Sequence, residues 1–479
     1  MKEKIEKKEI TKKSENFSQW YQDVILKAKL ADYAPVRGCM ILRPYGYAIW
    51  ERIQKILDDE FKKAGIENVY FPLFIPERFL KKEKEHVEGF SPQLAVVTTG
   101  GGKKLKEKLV VRPTSETIIY EMFSKWIKSW RDLPLKINQW CNVIRWEMRP
   151  RLFLRTTEFL WQEAHTVHIN EKENIEQVKW ALNTYIKLYQ DFFSIAGVFG
   201  KKSELEKFPG AKETFTYEML MPDGKALQGC TSHNLGQNFA KAFNINFIDK
   251  DGKKKMPFQS CFGLSTRSIG ALIMVHGDDQ GLILPPHLAP IQVVILPIFK
   301  KENNENLIKK AREIKHKLKN LRVKIDLRKE YSIGWKFNEW ELKGVPLRVE
   351  LGEKELKEGK LTLVRRDNFE KISIPMNSVL KKIKEILKFI QRDLFLKSEN
   401  FLKNHIFEVS NFSEFKEIIN EKKGFVKAFW CERPECEIKI KEKTKATTRV
   451  LPLNEPLKNG KCVLCQKKAK RKWLFAKAY

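Results

Sequence analysis

The sequence predicts a multidomain α+β protein, and three observations lead to this class. A chain of 479 residues with 42% hydrophobic residues is too long for one core, so about three domains are expected. Two extended runs within residues 143–168 predict an antiparallel hairpin, whereas strands and helices alternate beyond residue 289. Four of the eight cysteines fall between residues 431 and 465, which indicates a separate metal-stabilised unit.

The composition bears on location and on partners. No stretch of about 18 apolar residues occurs, and no apolar segment follows the charged first residues, so we expect neither a membrane span nor a secretory signal. A cytoplasmic protein is therefore expected. The 91 Lys and Arg residues exceed the 60 Asp and Glu residues and give a net charge of +31, which favours a polyanion such as nucleic acid as partner. A general enrichment in lysine is the alternative explanation of this charge.

The first part of the chain predicts a basic extension and then an amphipathic helix. Residues 1–22 are rich in lysine and are expected to form a basic helix or a frayed tail. In the helix that follows, apolar residues recur at helical spacing up to Gly65, its stop, and a strand then ends near Pro72. The pattern alone leaves two interpretations open: the helix and strand form a dimer interface, or the helix packs on a sheet edge.

The segment VVRPTSET, at residues 110–117, predicts the start of another helix. Pro113 forces the preceding residue into an extended conformation, so Thr114, Ser115 and Glu116 can form a polar turn that caps the helix. A role of these polar side chains in substrate binding is the alternative.

Residues 143–168 predict a hairpin with one unusual face. At two-residue spacing, Arg145 and Glu147 share a face of the first run. One face of the second run holds Phe159, Trp161, Glu163 and His165. The other face holds Leu160, Gln162, Ala164 and Thr166, a more ordinary lining. Because charged and aromatic groups together make a poor core, the first face is the candidate site, and an exposed hairpin with snorkelling charges is the alternative.

A long amphipathic helix is predicted over residues 171–196, and a polar strand with a following helix over residues 224–243. The second segment brings together three hydrogen-bonding residues: Gln228, Thr231 and His233.

Arg267 is the only charged residue before a long apolar run in the segment that spans residues 260–286. An arginine in such surroundings must face a ligand or be paired. The candidate ion-pair partners are Asp278 and Asp279, so a structural ion pair is the alternative to ligand binding.

A small α/β domain is predicted beyond LPPHLAP, a proline-rich boundary at residues 284–290. A buried strand, a charged helix near residues 303–319 and a second strand predict a mostly parallel sheet in a domain that reaches about residue 395. Within it, aromatic and charged residues interleave: Trp335, Lys336, Phe337, Trp340, Glu341, Lys343 and Arg348. This segment suits stacking on unpaired RNA bases, and an amphipathic helix with ordinary core aromatics fits equally well.

The C-terminal cysteines have the spacing of a zinc site. Cys431 and Cys436 form a C-x4-C pair, and Cys462 and Cys465 form a C-x2-C pair after a gap of 25 residues. Two such pairs complete a tetrahedral thiolate site without an open position, so a structural Zn²⁺ is predicted. The chain then continues into WLFAKAY, an apolar segment that a disordered tail would not need.

Together these segments resemble a prolyl-tRNA synthetase of the archaeal and eukaryotic type, which carries a C-terminal zinc domain. The resemblance covers nearly the whole chain after about residue 20. It includes three motifs typical of class II synthetases: GIENVYFPLF with Pro72, the hairpin from Arg145 to His168, and GLSTRSIG around Arg267. Further matching segments are RPTSET, EFLWQEAHT, CTSHNLGQNFAKAF, HGDDQGLILPP and GWKFNEWELKGVPLRVELG.

The resemblance implies a domain order and an assembly. After a basic extension at residues 1–22, a six-stranded antiparallel catalytic sheet with flanking helices would occupy residues 23–288. An α/β anticodon-binding domain would follow at residues 289–395, and a small α/β zinc-bearing domain at residues 396–479. A homodimer with the first motif at its interface is implied, as is a fixed position for Tyr479 and its carboxylate near the active site.

The resemblance further implies ATP-dependent attachment of L-proline to tRNA-Pro in two steps, through prolyl-adenylate, with Mg²⁺ as cofactor. Arg145 would bind the α-phosphate, Arg267 the γ-phosphate and Glu147 the adenine amine. The nucleotide side would also be lined by Arg155, Gln228 and Thr231. No enzyme nucleophile is needed, so catalysis would rest on charge neutralisation and in-line positioning.

For proline, the resemblance implies that Thr114 and Glu116 receive the secondary ammonium, because a negative partner offsets the cost of burying that charge. The ring and its neighbours would be enclosed by Phe159, Trp161, Glu163, His165 and His233. The anticodon would be read by Glu341, Lys343 and Arg348.

Some features bear on substrate selection. Phe262 stands where the family usually has tryptophan, and Cys230 where a small residue is usual, so both bear on pocket volume. About 100 residues separate the hairpin from Arg267, too few for the large editing insertion of the bacterial-type enzymes. Because a small apolar difference gives only about 10- to 200-fold discrimination, we expect a separate protein to clear tRNA mischarged with alanine or cysteine.

Overall fold

The computed structural model describes residues 10–80, 94–299 and 305–479. Residues 1–9 of the predicted basic extension, and the start of the helix predicted near residue 303, lie outside these ranges. The described part of the extension leads into a helix, Phe17–Lys27, which Asn16 caps by accepting a hydrogen bond from the Gln19 backbone N–H at 3.0 Å. The helix runs through residue 22, and its Trp20 and Tyr21 side chains are buried.

The described residues contain a continuous 11-stranded sheet. From edge to edge its strands are Ile406–Glu408, Phe425–Trp430, Arg471–Ala476, Thr447–Pro452, Val198–Lys201, Glu213–Leu220, Ala226–Gly236, Phe258–Ser265, Glu158–His168, Leu135–Ile144 and Glu67–Asn68. The six strands from Val198–Lys201 to Leu135–Ile144 pair antiparallel, which confirms the predicted catalytic sheet. Glu67–Asn68 joins its edge in parallel, so the strand expected to end near Pro72 ends at Asn68 instead.

One face of the catalytic sheet is covered by helices that share a hydrophobic core with it. These helices are Phe17–Lys27, Pro44–Lys63, Glu171–Lys187 and Arg267–His276. The predicted long helix over residues 171–196 is shorter than expected, because a π-helical turn, Leu188–Phe192, follows Lys187. In Pro44–Lys63 the apolar stripe is buried, so this stripe packs on the sheet within the chain.

The opposite face of the sheet carries the helices Glu116–Trp126 and Asn238–Ala242 over a second core. A three-stranded antiparallel sheet lies beside them, formed by Phe74–Pro76, Lys103–Val111 and Ala95–Gly100. The smaller elements are the pairs Ala31–Tyr33 with Met40–Leu42 and Phe247–Ile248 with Lys254–Lys255, the helix Glu77–Leu80, and the 3₁₀ turn Trp130–Asp132.

The α/β domain contains a five-stranded sheet in the order Val323–Ile325, Val293–Pro297, Leu347–Leu351, Lys360–Arg365 and Lys371–Pro375. The first three strands are parallel, but the last two pair antiparallel, so the expectation of a mostly parallel sheet is wrong for this half. Its helices are Glu305–Lys317, Ile333–Leu342, Glu353–Glu358 and Val379–Asn404, and the last one runs through residue 395. A 3₁₀ turn, Met376–Ser378, precedes that last helix.

The C-terminal unit, residues 406–479, extends the catalytic sheet. Thr447–Pro452 pairs with Val198–Lys201 through Leu451 opposite Lys201 and Pro452 opposite Gly200. A Cβ atom on Gly200 would lie 1.9 Å from the Leu451 carbonyl oxygen, so this close approach requires glycine. The unit also contains the helices Phe412–Glu417 and Pro434–Thr444, the π-helical turn Ile418–Lys422, and the paired strands Gly460–Lys461 and Lys468–Ala469.

Among the described helices, none combines the length and apolar character that crossing a membrane requires.

Candidate active site

A cavity of about 620 Å³ opens on one face of the catalytic sheet. This face lies opposite the one that the four helices of the first core cover. The cavity brings together every residue predicted to bind ATP or proline except Glu147 and Arg155. These lining residues are Thr114, Glu116, Arg145, Phe159, Trp161, Glu163, His165, Gln228, Thr231, His233 and Arg267. The alternation predicted for the second run places its unusual face toward the cavity, while Leu160 and Ala164 pack in the core behind it.

The first run of the predicted hairpin differs from expectation. Its strand is Leu135–Ile144, so Arg145 and Glu147 follow the strand and do not share one of its faces. Arg145 lines the cavity. Glu147 lies in the loop, where both Nε and Nη2 of Arg155 donate to its Oε2 at 3.0 Å. Glu147 and Arg155 thus pair with each other in the loop and are not among the residues that line the cavity.

The Glu163 carboxylate is held by protein donors. Its Oε1 accepts hydrogen bonds from Ser115 Oγ and, at 2.9 Å, from Gln139 Nε2. His165 Nε2 lies 3.2 Å from Oε2, and Tyr120 Oη lies 3.0 Å from His165 Nδ1. Burial opposes ionisation of Glu163, but the His165, Ser115 and Gln139 hydrogen bonds keep its pKa below the usual value. Glu163 thus fixes the orientation of His165.

This network corrects the capping prediction at VVRPTSET. The helix begins at Glu116 with Ser115 at the N-cap, but the Ser115 hydroxyl donates to Glu163 and makes no cap hydrogen bond. Thr114 Oγ1 donates to the Glu116 carboxylate, which lies 3.8 Å from the Cys261 thiol sulfur. The polar turn therefore contributes hydrogen-bonding groups to the cavity floor and does not cap the helix.

His233 closes the same end of the cavity. Its Nδ1 lies 2.9 Å from Thr214 Oγ1, and its ring packs against Phe208 with the ring centroids 4.6 Å apart. Burial, with a smaller effect of His165, lowers the pKa of His233 to about 3, so this imidazole is neutral at pH 7. A carboxylate, a hydroxyl and a neutral aromatic surface together suit a small ligand that has a cationic group and an apolar body.

Two guanidinium groups occupy the other side of the cavity. Arg145 Nε donates to the Pro113 carbonyl at 3.0 Å, and the charge lies 5.5 and 5.3 Å from the ring centroids of Phe159 and Trp161. Burial lowers the pKa of Arg145 to about 10, so it remains charged at pH 7. Arg267 Nε donates to the Leu154 carbonyl at 3.2 Å. This side suits a polyanion.

The ion pair considered for Arg267 does not form. Asp278 accepts from Arg366 at 2.6 and 2.8 Å, and Asp279 accepts from the Lys13 backbone N–H at 2.7 Å. Burial and the charges of Arg155 and Arg449 lower the pKa of Arg267. Arg267 therefore faces the cavity and forms an ion pair with neither aspartate.

Several cavity residues were missed in the sequence. Cys261 lies on the strand Phe258–Ser265, and Phe208 lies on a connecting segment. Gln139, on the strand Leu135–Ile144, does not line the cavity but holds Glu163 from behind. The period-two spacing of Cys261 and Gly263 before Arg267 was a usable signal, since both border the cavity. Phe262 also borders the cavity, but its ring packs against Phe61 in the core, with the centroids 5.9 Å apart.

The four C-terminal cysteines come together as predicted. Their Sγ atoms all lie within 4.8 Å of one another, and those of Cys431 and Cys465 are 3.7 Å apart. A tetrahedral site with Zn–S bonds of about 2.3 Å requires about 3.8 Å between sulfurs, so the four thiols fit Zn²⁺. Cys431 directly follows strand Phe425–Trp430, and Cys436 lies in the first turn of Pro434–Thr444.

The three predicted anticodon residues are engaged within the chain. Arg348 is 8% exposed and donates to Glu341 at 2.5 Å and to Glu350 at 3.0 Å. Lys343 Nζ lies 2.9 Å from Glu339 Oε1. Trp340 is buried in the helix Ile333–Leu342, as the core alternative predicted.

Comparisons with known proteins agree with this architecture. Residues 98–276 match the family model for the tRNA synthetase class II core domain (G, H, P, S and T), residues 292–386 the anticodon binding domain, and residues 412–479 the prolyl-tRNA synthetase C-terminal model. The fold is thus that of a class II aminoacyl-tRNA synthetase.

The chain is similar to enzymes named proline–tRNA ligase in several organisms. It is 50% identical to the one of Natranaerobius thermophilus over 98% of both chains. It is also 50% identical to proline–tRNA ligase 2 of Clostridioides difficile and to the proline–tRNA ligase of Lachnoclostridium phytofermentans, again over 98% of each chain. The chain therefore belongs to the prolyl-tRNA synthetase family.

Proposed function

We propose that this protein attaches L-proline to tRNA-Pro at the expense of ATP. One observation carries the proposal: a single cavity joins two guanidinium groups to a carboxylate with an aromatic wall. An oxygen of the proline carboxylate attacks the α-phosphate, and pyrophosphate leaves. The prolyl group then passes from the adenylate to a hydroxyl of the terminal ribose of the tRNA, and AMP leaves.

The nucleotide lies on the arginine side in this proposal. Arg145 neutralises the α-phosphate and Arg267 the γ-phosphate, where negative charge must be balanced during transfer. Glu147 takes the adenine amine, with Arg155 beside it. The wall of this side is completed by Gln228 and Thr231. When bound, Mg²⁺ supplies further charge neutralisation for the departing pyrophosphate.

Proline lies at the other end, near Thr114 and Glu116. A carboxylate stabilises the secondary ammonium, which loses its hydration on entering the cavity. The apolar ring is enclosed by Phe159, Trp161, His165 and His233, while Glu163 fixes the position of His165. This arrangement directs the proline carboxylate toward Arg145, whose charge lies over the same aromatic rings.

We assign the rest of the chain to tRNA binding and to stability. Residues 289–395 bind the anticodon, with Glu341, Lys343 and Arg348 as readers that exchange their internal ion pairs for base edges. Residues 396–479 hold a structural Zn²⁺ on the four cysteines, and residues 23–288 hold the catalytic site. The basic extension at residues 1–22 adds positive charge.

A cytoplasmic homodimer is part of the proposal. Tyr70 is 74% exposed, Phe74 is 47% exposed and Trp126 is 45% exposed, all close to the first class II motif. Exposed aromatic side chains of this kind mark protein interfaces. The short connection before Arg267 leaves no room for a cis-editing domain, so a separate protein clears mischarged tRNA.

Exchange of pyrophosphate into ATP tests the activity. Purified protein should catalyse it with proline, and Arg267→Ala should lower kcat/KM by at least about 100-fold, because a charge that balances the leaving phosphates is lost. Arg392→Ala is the control, since Arg392 is 62% exposed and pairs with the neighbouring Asp393. Absence of proline-dependent exchange, or an Arg267→Ala variant equal to the parent, contradicts the proposal.

A further inference from the structure

A buried charged cluster connects the C-terminal unit to the catalytic sheet. Glu218, on strand Glu213–Leu220, is fully buried, and its Oε2 accepts from Arg449 Nε at 3.0 Å and Nη2 at 2.8 Å. Lys202 Nζ donates to its Oε1 at 2.7 Å. Arg449 lies on Thr447–Pro452, the strand that extends the catalytic sheet. One carboxylate thus faces two buried cations.

Such a cluster is a costly way to join two strands. Removing three charges from water carries a desolvation penalty, and apolar side chains of similar volume often hold a contact at least as well. The groups that the cluster contacts next indicate a role beyond holding the two strands together.

The cluster leads directly to the nucleotide side of the cavity. Thr216 Oγ1 donates to Glu218 Oε1 at 3.1 Å, and Gln228 Nε2 donates to Thr216 Oγ1 at 3.3 Å. Glu218 is also the cross-strand partner of Gln228, which lines the cavity. A chain of hydrogen bonds therefore runs from Arg449 through Glu218 and Thr216 to Gln228.

Two further links reach the same cavity. The charges of Arg449 and Glu218 act on Arg267 in opposite directions, since Arg449 lowers its pKa and Glu218 raises it. Ser203, next to Lys202, donates to Glu437 of the C-terminal unit at 2.7 Å, and the segment that follows lines the cavity from Glu206 onward. The C-terminal unit thus holds two parts of the cavity wall.

We propose that Arg449 is a positioning residue for the nucleotide: through Glu218 and Thr216 it fixes Gln228 on the cavity wall. The inference rests on the proposed function, because it concerns the ATP side of the same cavity. Arg449 does not line the cavity among the described residues, so it acts through its neighbours. The C-terminal unit then contributes to ATP binding as well as to stability.

The test is proline-dependent pyrophosphate exchange with Arg449→Met, which keeps an unbranched apolar stem and removes the charge and the hydrogen bonds. We expect the KM for ATP to rise about 10-fold and the KM for proline to change less than about twofold, because only the nucleotide side loses its support. Arg449→Lys retains the charge and one donor and should restore most of the ATP affinity. Arg471→Met is the matched control, since Arg471 forms a half-exposed pair with Glu432 in the same unit.

An unchanged KM for ATP in Arg449→Met, whatever its melting temperature, overturns the inference and leaves Arg449 as a structural contact. An equal rise in both KM values does the same. If Arg449→Met does not fold, Thr216→Val decides, because it removes the hydroxyl that joins Glu218 to Gln228, and an unchanged KM for ATP in that variant overturns the inference. A parent protein without proline-dependent exchange contradicts the proposed function itself, which is a separate outcome.

Discussion

Glu116 and Glu163 carry the same functional group at the cavity floor but have different surroundings. Ser115, Gln139 and His165 surround the Glu163 carboxylate, so it serves to hold its neighbours. Glu116 sits beside Thr114 and Cys261 at the position where a cationic substrate would arrive. The two carboxylates therefore have separate tasks, one in orientation and one in charge recognition.

Glu116→Gln tests that division. The amide keeps the shape of the side chain but loses its charge, so the stabilisation of a buried secondary ammonium falls by about 2–3 kcal/mol. We expect the KM for proline in pyrophosphate exchange to rise about 30- to 150-fold while the KM for ATP changes little. Glu121→Gln, on the same helix and outside the cavity lining, is the control. Equal effects on both substrates would show that Glu116 supports the whole cavity.

Sequence reasoning succeeded at this scale where the signal was local. The faces of residues 159–165 follow from the two-residue period of a strand, which needs no knowledge of partners. Ser115 was misjudged because its acceptor, Glu163, lies 48 residues away, and a capping rule considers only the next turn of helix. Arg145 lines the cavity, but it lies one residue beyond the end of the strand on which it was expected.

At the scale of elements, the four-cysteine cluster holds parts of the C-terminal unit that have little other structure. Cys462 is fully buried, and it lies between two paired strands of only two residues each. Such short strands cannot hold a fold by their own hydrogen bonds. The metal is therefore expected to supply most of the local stability.

Cys462→Ser should remove bound zinc and loosen the unit. We expect the zinc content to fall from about one per chain to near zero, since three thiolates leave the site open. Hydrogen exchange should show a loss of protection of more than about 4 kcal/mol in the C-terminal strands. Cys39→Ser, a partly buried thiol outside the cluster, should change neither quantity. Retained zinc in Cys462→Ser would refute the thiolate site.

Elements were predictable in kind but not in pairing. The helices and strands of the α/β domain follow from their apolar periods, yet nothing local to Lys360–Arg365 and Lys371–Pro375 reveals that they pair antiparallel with the sheet. The pairing of Thr447–Pro452 with Val198–Lys201 was equally hidden, because the register of distant strands depends on tertiary packing. The cysteine spacing, in contrast, predicted the four-thiol cluster, because cysteine is itself a ligand of zinc and needs no knowledge of strand pairing.

At the scale of the whole molecule, three buried histidines among the described residues have a lowered pKa and are neutral at pH 7 when the chain is folded. Burial lowers the pKa of His168 and His276 to about 4 and that of His233 to about 3, from an ordinary value of 6.5. Because each folded pKa lies below the unfolded one, the unfolded chain binds more protons in acid. The contribution of these histidines to the free energy of unfolding is complete above about pH 6.5 and is lost progressively as the pH falls toward 4.

The melting temperature should therefore fall as the pH is lowered from 7 to 5. Each histidine costs about 2 kcal/mol of unfolding free energy at pH 5, so the effect of three is several kcal/mol. His276 Nε2 lies 2.8 Å from the Phe193 carbonyl, and His276→Gln keeps a donor there without a titrating group. This variant should lose less stability between pH 7 and 5 than the parent. An identical pH dependence would show that His276 does not titrate on unfolding.

The sheet that runs from the catalytic strands into the C-terminal unit has a consequence for the timing of folding. Arg449 and Glu218 are 231 residues apart in sequence. At about 5–20 residues per second, the ribosome delivers the second partner about 10–50 s after the first. For most of that interval, once Ser265 has been made, a growing chain holds Glu218 with Lys202 as its only buried cation, beside a catalytic sheet whose antiparallel strands are complete. Ligand-binding competence is thus expected to arise later than the core itself, in a step set by translation and not by the folding of the catalytic strands.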